Sequence, residues 1–303
     1  MKLPARVKVI EVGPRDGLQN EKQAVPTDIK VAFIDALSAA GFAEIEASSF
    51  VSPKRIPQLG DAAEVFRRIR RRDETRYSAL VPNEKGLDAA LAAGLGRIAV
   101  FTAASESFNK KNVNATIAES IARFEPVTAR ARAAGVTLRG YVSTCFGCPY
   151  EGAVDPARVE EVAGRLFGLG CDEVSIGDTI GVADPVQVES VMARLAARFG
   201  AERLAVHFHD TRGTALANVL AALQLGIAAV DSSAGGLGGC PFAPGASGNL
   251  ATEDLLYVLQ RMGVQTGVDL DGVVAASHLI AGALDHTPTS KYLQAGPPRL
   301  ARV

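Results

Sequence analysis

The chain has 303 residues, 48% hydrophobic and 21% charged, a balance that supports a globular fold with a large core. Lys plus Arg number 32 against 33 Asp plus Glu, so no bulk field draws the protein to nucleic acid or to an anionic membrane. No apolar run is long enough for a helical membrane span. The first strand begins almost at once, so no signal peptide and a cytoplasmic location are expected.

The first strand is predicted over Val7–Val12. It is followed by Gly13-Pro14-Arg15-Asp16-Gly17 and by a helix from Thr27, a good N-cap residue, to Ala40, stopped by Gly41. A second strand over Ala43–Ala47 puts Glu44 and Glu46 on one face. A loop through Pro53-Lys54-Arg55 then leads to a helix near Ala62–Arg71. The alternation continues with strands near Arg76–Leu80, Arg97–Phe101, Thr137–Ser143, Glu173–Ile176, Leu204–His207 and Ala229–Ser232. Helical patterns lie near Lys85–Ala93, Ala115–Ala134, Pro156–Leu169, Pro185–Phe199, Ala215–Leu225 and Thr252–Met262. Strand-then-helix units imply parallel pairing with right-handed crossovers, and eight of them predict a closed (β/α)₈ barrel, an α/β fold. An open doubly wound sheet would usually carry a glycine-rich phosphate loop after strand one, where this chain has Pro14-Arg15-Asp16. The whole chain, 1–303, is expected to form one domain. Its barrel would run from about 7 to 262, with a helical tail from about 268 to 285.

Four cysteines are present. Cys145-Phe146-Gly147-Cys148 has no partner pair for zinc and sits at a strand end, so it reads as reduced structural thiols. Cys240 lies in the loop Ala234-Gly235-Gly236-Leu237-Gly238-Gly239-Cys240-Pro241, whose glycines predict mobility.

Barrel enzymes carry their chemistry at the C-terminal ends of the strands, and the unexpected polar residues fall there. Arg15 and Asp16 follow strand one, Glu46 ends strand two and Asp178 follows strand six. His207 and His209 end strand seven, and Cys240 and Asn249 follow strand eight. Two residues apart on a strand, His207 and His209 share a face, while Val206 and Phe208 point away. A carboxylate, two imidazoles and an amide oxygen form a mixed N/O set. Such a set suits a divalent ion such as Mg²⁺, Mn²⁺ or Co²⁺ better than structural zinc, which wants a closed shell. Such an ion is a Lewis acid, Arg15 offers a fixed positive charge to an enolate, and Asp178 or a histidine is placed to take a proton. Glu46 orients either Arg15 or a water, or simply forms a salt bridge with Arg15. Lys22, Lys54, Arg55, Lys110 and Lys111 also fall in rim loops, where a phosphate-bearing substrate would meet them.

Three stretches carry a specific resemblance: Gly13-Pro14-Arg15-Asp16-Gly17-Leu18-Gln19-Asn20-Glu21, His207-Phe208-His209-Asp210-Thr211 and the Gly235–Pro241 cysteine loop. Together with Ser175-Ile176-Gly177-Asp178-Thr179 and Gly245–Asp254, they closely resemble the 3-hydroxy-3-methylglutaryl-CoA lyases, metal-dependent barrel enzymes. The resemblance implies Mg²⁺- or Mn²⁺-dependent cleavage of that thioester to acetyl-CoA and acetoacetate, as in leucine catabolism. It implies Asp16, His207, His209 and Asn249 as metal ligands, Arg15 as the residue on the thioester carbonyl, and Cys240 as a mobile acid. Asp178 and Glu46 would support proton transfer. Substrate contacts would come from Arg15, Gln19, Lys22, Lys111 and Asn112, because Asn109-Lys110-Lys111-Asn112 resembles the family's CoA-contacting segment. A homodimer is implied, with the tail after Val268 as a place for subunit contact; neither nucleic acid nor membrane is expected as a partner. Two departures stand out: Arg212 where the lyases carry an aromatic, and the large Phe208 between the histidines.

Other readings are a lyase for a related 3-hydroxyacyl-CoA, a condensing acetyl-CoA/2-oxoacid synthase, an H-x-H metal hydrolase and a non-catalytic barrel. The synthases usually read Arg-Asp-Gly-Glu-Gln where this chain has Gly17-Leu18-Gln19 after Arg15-Asp16. The hydrolases usually place their histidine pair after strand one.

Overall fold

A computed structural model describes residues 2–239, 248–284 and 287–298. Eight parallel strands close into a barrel in sequence order, β1 (Lys8–Glu11), β2 (Glu44–Ser49), β3 (Arg76–Leu80), β4 (Arg97–Ala103), β5 (Thr137–Ser143), β6 (Glu173–Asp178), β7 (Leu204–Phe208) and β8 (Ala229–Ser232). The last strand pairs with the first, Lys8 opposite Ala229 through Glu11 opposite Ser232, and this closes the ring. The expected α/β (β/α)₈ architecture is therefore the observed one.

The helices are α1 (Thr27–Ala39), α2 (Ala62–Arg68), α3 (Glu84–Ala92), α4 (Glu106–Val113), α5 (Ile117–Ala133), α6 (Pro156–Gly168), α7 (Pro185–Phe199), α8 (Ala215–Gln224), α9 (Thr252–Arg261), α10 (Leu270–Ala281) and α11 (Lys291–Ala295). The main apolar core fills the space between helices and barrel, where Phe33, Leu37, Phe42, Ile98, Val206 and Phe208 are buried. No described helix is long and apolar enough to cross a membrane.

Three elements differ from expectation. Gly13–Gly17, where glycine and proline predict a simple turn, is a turn of π-helix, with the N–H groups of Arg15, Asp16 and Gly17 all converging on Val12 O. The segment with Lys110 and Lys111 is the helix α4, started by Ser105, whose hydroxyl accepts from Phe108 N at 3.1 Å. The tail adds a short helix, α11, beyond α10.

Much of the barrel interior is charged. At one end Lys8 Nζ meets Glu173 at 2.6 Å, and Arg97 bridges Glu44 at 2.7 Å and Glu173 at 3.1 Å. Above them Arg139, 1% exposed, reaches Glu173 and Asp231. Buried charges persist only when paired and hydrogen-bonded, and here each has a partner of opposite sign.

Candidate active site and metal centre

The polar residues at the other end of the barrel converge as the alternation rule requires. On β7, Ala205 packs inward on Ile10, Val12 and Ala229, so His207 and His209 also face the lumen. Their ring centroids are 5.3 Å apart. Phe208 points outward, is buried, and packs on Phe146. The π-turn after β1 delivers Asp16 to the same place: donor atoms of Asp16, His207 and His209 all lie within 4.8 Å of one another. Asn249, held beside His209 by a backbone bridge, donates from Nδ2 to Asp16 Oδ2 at 2.9 Å and to Leu237 O at 3.0 Å.

The donor set fits a divalent cation. His209 Nδ1 and Asn249 Oδ1 are buried without a hydrogen-bond partner among the described residues. A buried acceptor left unpaired is costly, and two of them beside a carboxylate and a second imidazole are what a cation would satisfy. His207 Nδ1 lies 3.2 Å from Asp231 Oδ2, which fixes the ring and leaves Nε2 on the Asp16 side, 3.8 Å from Oδ2.

Burial alone would raise the Asp16 carboxyl, but Arg15 and the two histidines outweigh it and hold Asp16 below the usual carboxylate range. Burial and the neighbouring His207 push His209 down to about 4, so its ring is neutral at physiological pH. Burial also opposes the charge of Arg15, and the Glu46 and Asp16 carboxylates more than restore it. Arg15 is ion-paired with both. Glu46 thus takes the salt-bridge role among its alternatives, and its second oxygen accepts from Tyr141 Oη at 3.0 Å.

These groups open on a cavity of about 580 Å³ lined by Arg15, Asp16, His207, His209, Tyr141 and Thr179, and farther out by Gln19, Arg55, Asn112 and Arg123. Of the expected substrate contacts, Arg15, Gln19 and Asn112 line it. Lys22 is exposed and does not line it. Lys111 lies outside the lining too, with its ammonium 3.8 Å from the centre of the Tyr150 ring. Asn109 is buried, tying α4 down through Nδ2 to Ala115 O at 3.0 Å. Asp178 is buried, and its oxygens accept from Val182 N at 3.0 Å and Ala183 N at 2.9 Å. Burial raises its carboxyl above the ordinary value, and those bonds oppose the shift. Arg212 grips the same loop, donating to Ile180 O and Gly181 O at 2.9 and 2.8 Å, and so points away from the cavity. Cys240 lies outside the described residues. Cys145 and Cys148 are buried and free, as read from the sequence.

The HMGL-like family description matches residues 6–280, most of the chain. The chain belongs to the HMGL-like family. It is 52% identical over 292 residues to the mitochondrial hydroxymethylglutaryl-CoA lyase of Bos taurus, covering 96% of this chain and 90% of that protein. Curated relatives include mitochondrial and cytoplasmic forms of that lyase. The hydroxymethylglutaryl-CoA lyase structure from Pseudomonas aeruginosa superposes with a TM-score of 0.95 at 50% identity, over 97% of this chain and 98% of that one. A lyase of Acinetobacter baumannii, solved in complex with coenzyme A and 3-methylmalate, gives 0.93 at 41% identity, with 98% of each chain covered.

Within this HMGL-like site, sequence reasoning missed Tyr141, Asp231 and Arg123 as site residues. Tyr141 and Asp231 alternate inward on strands that were correctly placed, so their register was the available signal. Arg55, expected only as one of several rim-loop cations, lines the cavity, and Arg123 sits on α5, where a helix-borne cation reads as a solvated face.

Proposed function

We propose that this protein cleaves 3-hydroxy-3-methylglutaryl-CoA to acetyl-CoA and acetoacetate, with Mg²⁺ or Mn²⁺ held by Asp16, His207, His209 and Asn249. The observation that carries the reading is the placement of Arg15 beside the Asp16–His207–His209 cluster, at the floor of one cavity. Such a cation, when bound, supplies Lewis acidity toward the 3-hydroxyl and its neighbouring carbonyl oxygen.

The chain's own groups do the rest. In this reading Asp178 and Glu46 support proton transfer from outside the cavity lining. The bond between C2 and C3 then breaks: acetoacetate leaves, and the electron pair stays on the acetyl thioester as its enolate. Arg15, kept charged by two carboxylates, faces the thioester oxygen and stabilises that charge. Cys240 delivers a proton to the enolate carbon and completes acetyl-CoA. Gln19 and Asn112 line the route for the CoA arm. Lys22 and Lys111 belong to this reading as outer contacts, Lys111 after leaving the Tyr150 ring.

The reading also includes a single domain, a cytoplasmic protein and a homodimer in which α10, with Leu279 exposed, takes part. Chelator-treated protein is expected to release both acetoacetate and acetyl-CoA only after Mg²⁺ or Mn²⁺ is restored. Release that ignores chelation would overturn the metal assignment. No release with either ion would move the substrate to a related 3-hydroxyacyl-CoA.

A further inference from the structure

Arg139 is the largest of the fully buried side chains and sits in the barrel lumen behind the site. Its guanidinium spends its donors in three directions. Nε reaches Glu173 Oε1 at 2.8 Å, Nη1 reaches the hydroxyl of Tyr141 at 2.7 Å and Nη2 reaches Asp231 Oδ1 at 2.7 Å. Two of these lead onward into the site. Asp231 turns its other oxygen, Oδ2, to both Ser175 Oγ at 2.9 Å and His207 Nδ1 at 3.2 Å. Tyr141, pinned by Arg139, donates to Glu46 Oε2, and Glu46 pairs with Arg15.

We propose that Arg139 is a positioning residue that orients both halves of the site from one point, the metal-binding His207 through Asp231 and the enolate-stabilising Arg15 through Tyr141 and Glu46. The proposal rests on the lyase reading for the role of Arg15, and on the ligand geometry alone for that of His207.

The chemistry of the three acceptors makes arginine the residue for this place. They lie on β5, β6 and β8, so a planar fork with several fixed donors can meet all three at once. A lysine ammonium is a single point on a flexible stem and cannot span them. A buried ion-pair cluster is also poor value as a source of stability, since packed aliphatic side chains of equal volume commonly do as well. Barrel interiors are usually filled by branched aliphatics, and Val12 and Ile10 show that this lumen accepts them. A guanidinium retained here is explained by what it orients. Asp231 must present an anionic oxygen to His207 Nδ1 for Nε2 to face Asp16. Tyr141 must present its proton to Glu46 for the other Glu46 oxygen to stay on Arg15.

The test uses the full chain, treated with chelator and titrated with Mn²⁺ by calorimetry, with turnover measured in parallel on saturating Mn²⁺. Asp231→Asn cuts the first branch and is expected to weaken Mn²⁺ binding about 10- to 100-fold. Tyr141→Phe cuts the second and is expected to lower kcat about tenfold or more while Mn²⁺ affinity stays within about threefold of the parent. Arg139→Gln is expected to do both, and Arg139→Lys to restore neither. If Arg139→Gln does not fold, the double variant Asp231→Asn/Tyr141→Phe decides the matter. With a shared anchor, its kcat loss departs from the product of the single losses by about threefold or more.

A folded Arg139→Gln protein with parental Mn²⁺ affinity and kcat overturns the proposal. So do strictly multiplicative single losses, or a Tyr141→Phe effect confined to thermal stability. The Mn²⁺ titrations hold whatever the substrate proves to be, so failure of the lyase reading would appear separately, as a parent that binds Mn²⁺ and turns nothing over.

Discussion

Asn249 and Asp16 stand 233 residues apart in sequence and meet at 2.9 Å, the amide nitrogen of one on the carboxylate of the other. The same amide turns its oxygen into a buried position with no partner among the described residues. One side chain therefore steadies a ligand and offers itself as another. Gly238 bears directly on this amide. Its φ is +115°, and a Cβ there would fall 2.7 Å from Asn249 Nδ2 and 3.4 Å from Gly17 Cα. Gly238→Ala is expected to displace the amide and weaken Mn²⁺ binding about tenfold or more, as read by calorimetry. Unchanged affinity would remove Asn249 from the ligand set.

Cys240→Ala and Cys240→Ser are expected to cut turnover about 100-fold or more and to leave Mn²⁺ affinity near the parental value. His209→Ala is expected to lower both. Near-normal turnover in Cys240→Ala would dismiss the mobile-acid role.

Arg55 and Arg123 line the outer cavity, both exposed at its mouth. Their alanine variants are expected to raise KM for the acyl-CoA by about two- to fivefold each, with kcat unchanged and the effect fading at high salt. Lys111→Ala, which removes a cation outside the lining, is expected to do less. Equal effects from Lys111 and Arg55 would restore the α4 lysine as a principal contact.

Glu11 carries a pH signature in stability rather than in rate. It is fully buried; Oε1 accepts from Gly13 N at 2.7 Å and Ala234 N at 2.9 Å, and Oε2 accepts from Thr252 Oγ1 at 2.8 Å. Burial, only partly opposed by those bonds, pushes its carboxyl up to about 8. A raised carboxyl keeps its proton in the fold while the unfolded chain has lost it. Its contribution to stability therefore falls as pH climbs from the ordinary glutamate range, about 4.3, toward 8, and levels off above. Glu11→Gln keeps an oxygen for the two N–H groups and titrates nothing. Its melting temperature relative to the parent is expected to rise steadily between about pH 5 and 8. A pH-independent difference would show that Glu11 is ionised in the fold.

The barrel was legible because strands and helices alternate with clean apolar periodicity, and His207 and His209 because a two-residue spacing on a strand admits one arrangement. Gly13–Gly17 was read only as a turn: glycine and proline mark a break, and nothing local announces three N–H groups gathering on Val12 O. The helix α4 escaped because Glu106–Val113 lacks an apolar stripe and is held by Ser105 and Asn109 instead. Lys111 reads as a substrate contact because Asn109-Lys110-Lys111-Asn112 resembles the family's CoA-contacting segment. Only the fold shows its ammonium on Tyr150 and Arg55 at the cavity. Arg139 falls on the expected strand Thr137–Ser143 with Tyr141 two residues away, but its bonds to Glu173 and Asp231 are long-range, and no window of sequence contains them all.

The barrel closes by pairing its first strand with its last. Asp16 follows β1, the histidines come from β7 and Asn249 follows β8, so the cation site straddles the seam where the two ends of the ring meet. During synthesis the carboxylate emerges early and waits through most of the barrel before its partner ligands exist. A cation held by this whole set would therefore require the finished ring, acting as a clasp that closes on complete barrels and passes over partial ones.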